Sequence, residues 1–247
     1  PSSAASDVYK RQAERLAKEG MDLILIARRR SILIEISEKI AKKYNVEVIP
    51  VAKDLTLELD LEDLVNQTRD LEVGILVNNA GFGKFGEFEN LNLQDGLDMI
   101  RLNCLAPYYL TQVFVPQMIK RGKGAVMILG SVVGCQPTPY YTTYAATKAF
   151  DNMFGAALWN ELESKNIDVL SVLPGGTITG FQKIANTKQQ SFYRTAEQVV
   201  ESSMKALGKK PVVVDGFLNK IMTSFSKILS YKLSASVAGK IVKKAER

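Results

Sequence analysis

Short, unbroken apolar runs alternate along this chain with stretches whose apolar residues return at helical spacing, and this rhythm constrains the fold more than any other feature. Met21 to Ala27, Val46 to Val51, Gly74 to Val77, Ala125 to Leu129, Asp168 to Leu173 and Pro211 to Val214 predict short strands, and the most continuous of them read as strands covered on both faces. Between them, Tyr9 to Lys18, Ser31 to Tyr44, Leu61 to Asp70, Gln94 to Lys120, Tyr144 to Ser164 and Thr195 to Leu207 read as helices. Gly20 ends the first of these, the fourth is expected to bend near Pro107, and Thr195 is placed to cap the last. Such alternation predicts one α/β domain over residues 1–247, a doubly wound parallel sheet in which ligands gather beyond the carboxyl ends of the strands.

Composition narrows the chemistry. The 247 residues include no histidine and only two cysteines, Cys104 and Cys135, so His-based triads and His or zinc sites are excluded and no metal is expected. The 32 basic residues exceed the 26 acidic ones by six, but they are spread along the chain, which argues against a nucleic-acid stripe. No apolar run reaches the ~18 to 20 residues that span a bilayer, and the N-terminus lacks a signal-like apolar centre, so a cytoplasmic location is expected.

Three residues suggest a reaction. Tyr144 and Lys148, four apart on a predicted helix, share one face, and Ser131 follows a buried strand that can meet it. An ammonium beside a phenol favours phenolate, which makes Tyr144 a candidate proton exchanger, while the Ser131 hydroxyl can hold a carbonyl oxygen near it. By spacing alone, a solvent-exposed tyrosine and lysine pair is the other reading. Asn103, likewise, has the amide groups to cap backbone inside the long helix.

Taken together, Asn78-Asn79-Ala80-Gly81, Asn103, Ser131, Tyr144-Ala145-Ala146-Thr147-Lys148 and Pro174-Gly175 resemble the short-chain dehydrogenase/reductase family in order and separation over nearly the whole chain. The closing segment is similar to that of less-characterised bacterial and archaeal reductases, and distantly to relatives acting on 3-oxoacyl chains and steroids. The resemblance implies a Rossmann-like oxidoreductase that moves a hydride between a nicotinamide cofactor and a ketone or secondary alcohol with an apolar portion. It implies that Tyr144 is the acid/base, that Ser131 orients the substrate oxygen, that Lys148 binds the nicotinamide ribose and lowers the tyrosine pKa, and that Asn103 supports a relay water. Asn79, Ala80 and Gly81 would border the adenine side, and Pro174, Gly175, Thr177 and Thr179 the nicotinamide. A homodimer or homotetramer is the family's habit.

Arg28 and Arg29 close the second strand of the family's pattern where an NAD enzyme carries a carboxylate, so NADP, with NADPH preferred over NADH, is the expected cofactor; an exposed basic loop is the alternative. Asp54 matches the family's adenine-contacting acid. The family's first strand and glycine-rich turn, by contrast, are missing or altered: its three glycine positions fall on Ser3, Asp7 and Tyr9. Three readings account for this: a chain representing part of a longer one, a substitute structure at the N-terminus, or a cofactor-defective binding or scaffold protein without catalysis.

Two further segments stand out. Phe181, Ile184, Phe192 and Tyr193 lie where the family carries a mobile substrate cover and predict an apolar wall. Residues 216–244 predict helices in which Leu218, Ile221, Met222, Phe225, Ile228 and Leu229 share a face interspersed with Lys220, Lys227 and Lys232, and Val237 and Ile241 continue the pattern. These helices are expected to cover the cleft or an interface between subunits; peripheral membrane contact is the other reading.

Overall fold

The computed structural model describes residues 5–178, 193–226 and 228–245. Helix α1 (Ala5–Lys18) packs Ala13, Leu16 and Ala17 inward, and Gly20, at φ 80°, turns the chain out of it. Strand β1 (Leu23–Ala27) then pairs in parallel with β2 (Val48–Ala52) across helix α2 (Arg30–Tyr44). After α3 (Glu58–Thr68) come β3 (Ile75–Asn78), α4 (Leu93–Ile100), α5 (Ala106–Arg121), β4 (Gly124–Leu129), α6 (Thr142–Glu163) and β5 (Ile167–Leu173). Two short strands, β6 (Thr177–Ile178) and β7 (Arg194–Thr195), pair with each other, and α7 (Ala196–Ala206), β8 (Val212–Val214), α8 (Phe217–Ser226) and α9 (Tyr231–Ala245) complete the order.

Strands β3, β4, β5 and β8 form a parallel sheet in that order, with Ile75 opposite Ala125, Val126 opposite Val169 and Val172 opposite Val213. Successive residues of β4 point to opposite layers. Val126 and Ile128 join Leu110, Phe114 and Met118 of α5, whereas Met127 and Leu129 join Val199 of α7. Burial on both faces is the physical reason for the unbroken apolar run, because a strand covered by helices on each side has no polar face to alternate with.

Two places interrupt the regular alternation. The sheet is not continuous: β1 and β2 form a separate pair, and among the described residues no strand lies beside the outer edges of β1 and β3. These halves meet through side chains, Leu23 and Leu25 packing in one cluster with Ile75 and Val77. The break falls where the family's first strand was expected to be missing. The predicted helix from Gln94 to Lys120, for its part, is interrupted by a π-helical turn at Arg101–Leu105. Pro107 explains it, since proline has no N–H to give the carbonyl of Asn103 four residues earlier, and the helix widens at that point.

Elsewhere the capping chemistry agrees. Thr195 accepts from the Gln198 N–H at 3.3 Å while the Gln198 side chain accepts from the Thr195 N–H at 3.0 Å, a reciprocal box that starts α7.

Candidate active site

Beyond the carboxyl ends of β3, β4 and β5, the chain brings Gly81, Asn103, Ser131, Tyr144 and Lys148 together. Ser131 follows β4 in extended conformation and caps the short 3-10 turn Val132–Cys135. Its backbone is gripped by Asn152, whose Oδ1 accepts from the Ser131 N–H at 3.2 Å and whose Nδ2 donates to the Ser131 carbonyl at 2.9 Å. Gly130 is required beside this grip, because a Cβ there would stand 1.9 Å from Asn152 Oδ1. Gly134 likewise lets the turn approach the backbone of Lys148, its virtual Cβ falling 2.5 Å from that residue's carbonyl carbon. Asn152 was not singled out in the sequence; its place one turn after Lys148 on α6 is a signal only once Ser131 is known to lie opposite.

Tyr144 and Lys148 rise from one face of α6, as their spacing predicts. Tyr144 is half-buried, and its hydroxyl is hydrogen-bonded to Ser131. Burial raises its pKa above the ordinary tyrosine value; Lys148 and Ser131 pull it down, and Asp151 pushes it up. Lys148 therefore acts in the expected direction, but burial outweighs it in the chain alone.

The lysine itself is fully enclosed. Lys148 Nζ donates to the Leu129 carbonyl at 2.5 Å and to Asp151 Oδ2 at 2.9 Å. Burial works against its charge, yet Asp151 and Tyr144 hold its pKa above the ordinary lysine value. Asp151, one helical turn further along α6, is buried too; burial raises its carboxyl above the usual range although Lys148 lowers it, and Oδ1 has no hydrogen-bond partner. Sequence reading missed this acid because its partner relation depends on both side chains turning inward.

Asn103 is completely buried in the π-helical turn, a setting that recurs at functional sites. Its Nδ2 donates to the Phe82 carbonyl and to Thr147 Oγ1, each at 2.9 Å, and its Oδ1 accepts from the Phe82 N–H at 3.1 Å. The side-chain amide thus ties the loop after β3 to α6, and these bonds go outside the long helix rather than to backbone within it. A Cβ on Gly81 would lie 3.0 Å from Asn103 Oδ1 and 3.5 Å from Lys148 Nζ, so a larger residue there would crowd the Asn103 amide.

The remaining predicted positions frame the cleft. Asn79 and Ala80 lead from β3 into Gly81. Pro174 accepts from Ser131 Oγ at 3.4 Å, and Thr177 Oγ1 donates to the Gly175 carbonyl at 3.1 Å. Thr179, Phe181, Ile184 and Phe192 lie outside the described residues, while the ring of Tyr193 rests against Gly176. At the far arm, Arg28 and Arg29 follow β1, and Arg28 Nη1 lies 3.6 Å from Asp54 Oδ2. Asp54 also accepts from the N–H and hydroxyl of Thr56 at 3.0 and 2.8 Å.

The two ends of the cleft carry groups of the family pattern: an exposed arginine and a carboxylate after β1 and β2, and the tyrosine and lysine of α6. The middle differs from the family pattern. Asp7 and Tyr9 belong to α1, not to a glycine turn, and Tyr9 packs with the cluster around Leu25, its hydroxyl buried without a hydrogen-bond partner and pushed well above the ordinary tyrosine pKa by burial.

Known proteins share this sequence pattern and fold. The very-long-chain 3-oxoacyl-CoA reductase of Rattus norvegicus is 35% identical over 227 residues, 90% of this chain and 72% of that protein. A short-chain dehydrogenase from Sphingobium yanoikuyae, solved in complex with NADPH, superposes with a TM-score of 0.81 at 28% identity, covering 92% of this chain and 94% of that one. A structure of a 7beta-hydroxysteroid dehydrogenase shares the fold with a TM-score of 0.87 at 24% identity, covering 96% and 94%. The likeness therefore extends to a characterised mammalian enzyme and is not confined to obscure bacterial or archaeal reductases. With the short chain dehydrogenase model matching residues 5–190, the chain belongs to the short-chain dehydrogenase family.

Proposed function

We propose that this chain interconverts a ketone and a secondary alcohol by NADP(H)-dependent hydride transfer, with Tyr144 as acid/base, Ser131 orienting the substrate oxygen and Lys148 supporting both. The observation that carries it is the meeting of the Tyr144 hydroxyl with Ser131 beside the Lys148 ammonium beyond the carboxyl end of β4. The bound nicotinamide supplies the hydride. During reduction Ser131 holds the carbonyl oxygen by a hydrogen bond, and Tyr144 delivers its hydroxyl proton to that oxygen as negative charge develops there. A phenol with a raised pKa is fully protonated at neutral pH, the form needed for this direction. Lys148 steadies the phenolate left behind, and Asn103 keeps the Gly81 loop and α6 in register around it.

Arg28 is the group on offer for a 2′-phosphate, and the NADPH in the Sphingobium yanoikuyae structure supports the same preference here. For substrate we extend the class in the rat relative's name, a 3-oxoacyl thioester with an apolar chain, as the first to test. We assign the chain to homo-oligomers of the family's usual kind. The second reading, a non-catalytic binding or scaffold protein, is favoured by Tyr9 within α1.

The test is NADPH oxidation with a panel of 3-oxoacyl thioesters, cyclic ketones and steroids, using the chain and its Tyr144→Phe variant. We expect turnover by the chain, and in the variant at least a 1,000-fold loss, on the order of the general acid's contribution, with NADPH affinity within about threefold. A folded chain that binds no NADPH supports the scaffold reading. A variant that turns over like the parent overturns the role of Tyr144.

A further inference from the structure

Helix α8 is mounted with its polarity reversed. Thr223 and Ser226 are buried, and Asn219 presses its side chain against Gly175, while Phe217, Leu218, Ile221, Met222, Phe225 and Ile228 are 51% to 81% exposed. At about 100° per residue the five of these that lie within α8, Phe217, Leu218, Ile221, Met222 and Phe225, cover one continuous outward face about 140° wide. A surface helix ordinarily does the opposite, and a contiguous apolar patch of this kind marks an interaction site. The mounting is fixed by Asp215, which receives two bonds from Arg194 at 2.9 and 3.1 Å and whose carbonyl accepts from Asn219 Nδ2 at 2.6 Å.

Charge identifies the surface that would meet it. Counted by segment, residues 1–215 hold 25 basic and 25 acidic side chains, whereas residues 216–247 hold seven basic and one acidic. The entire net charge of +6 thus resides in the segment of α8 and α9: basic residues are spread along the whole chain, but acids balance them in sum before it. Lys220, Lys232, Lys240 and Lys243 are all exposed. A second copy docking face to face through α8 would bring two such basic segments together. No helix among the described residues is long and apolar enough to cross a membrane, so α8 has the make-up of a helix that lies in the plane of a bilayer surface.

We propose that α8, followed in the chain by the exposed lysines of α9, docks this chain on an anionic phospholipid surface. Because α8 packs on Gly175 and on the turn after Ser131, docking turns the mouth of the cleft toward the lipid. The surface needs no catalytic reading and can be tested without substrate.

The test is co-sedimentation of the full chain with vesicles of phosphatidylcholine alone and with 30% phosphatidylserine, at low and high salt, beside light scattering of the free chain. We expect binding to the anionic vesicles that weakens steeply with salt. Lys232→Gln with Lys240→Gln should lower affinity by about 25-fold, roughly fivefold per lysine. Ile221→Glu with Phe225→Glu, at exposed positions and with unchanged circular dichroism, should abolish it. Equal binding to both vesicle types, no binding, or binding untouched by Ile221→Glu with Phe225→Glu overturns the proposal. A dimer that the same double variant converts to monomer, without vesicle binding, overturns it in favour of a second copy.

Discussion

Replacing the two halves of the buried ion pair, singly and together, tests the electrostatics of the site most directly. Lys148 and Asp151 side chains are 6% and 2% exposed, with 2.9 Å between charged atoms. At an effective dielectric constant of about 20, unit charges at that distance attract by about 6 kcal/mol. Desolvating both ions offsets much of this, so the pair as a whole contributes little, yet removing one partner strands the other. Asp151→Leu leaves the ammonium with the Leu129 carbonyl as its remaining hydrogen-bond acceptor and is expected to cost about 3–5 kcal/mol. Lys148→Met should cost a similar amount at pH 7.5 and less at pH 5. The sign follows from Asp151: burial has already raised its carboxyl, losing Lys148 raises it further, and below that pKa the acid is neutral and tolerates burial. The double variant, two apolar side chains in the same space, should lie within about 1 kcal/mol of the parent. Urea unfolding followed by circular dichroism, with m-values compared to confirm a common denatured state, gives all three differences. Additive costs in the double variant would refute the argument, since they would mean the charges do not compensate one another.

Asn152→Ala should destabilise the chain by about 1–3 kcal/mol, because the Ser131 N–H and carbonyl lose their side-chain partner where water is largely excluded; thermal unfolding reads the loss. Lower turnover with unchanged NADPH affinity would show that the grip serves Ser131 rather than the cofactor arm. For the pH profile, the raised Tyr144 pKa keeps the phenol protonated through neutrality, so kcat/KM for ketone reduction should change less than about twofold from pH 6 to 9 and fall only above it. A decline beginning below pH 8 would contradict the burial argument.

The fold was legible wherever a local pattern had a local cause. Continuous apolar runs marked β4 and β5 because both faces are covered, Thr195 marked its helix because a hydroxyl there can reach the N–H of Gln198, and Pro107 marked an irregularity in the long helix, though not its π-helical form. Tyr144 and Lys148 were legible through helical periodicity. Asn152 and Asp151 sit on the same helix yet were not legible, since what distinguishes them is a partner 21 residues back in one case and enclosure in the other. The hydrophobic face of α8 could be read in the sequence, but not its direction: amphipathic spacing predicts an inward apolar side, and only Asp215 and Gly175 reverse it.

The double hold of Asn152 on Ser131 has a consequence for local opening. Both backbone groups of Ser131 are taken up by one side chain of α6, so the serine cannot swing away from the helix that carries Tyr144 unless two hydrogen bonds break together. Motion of that turn is thereby tied to motion of α6, and the Ser131 amide is expected to exchange with solvent deuterium as slowly as the buried strand it follows.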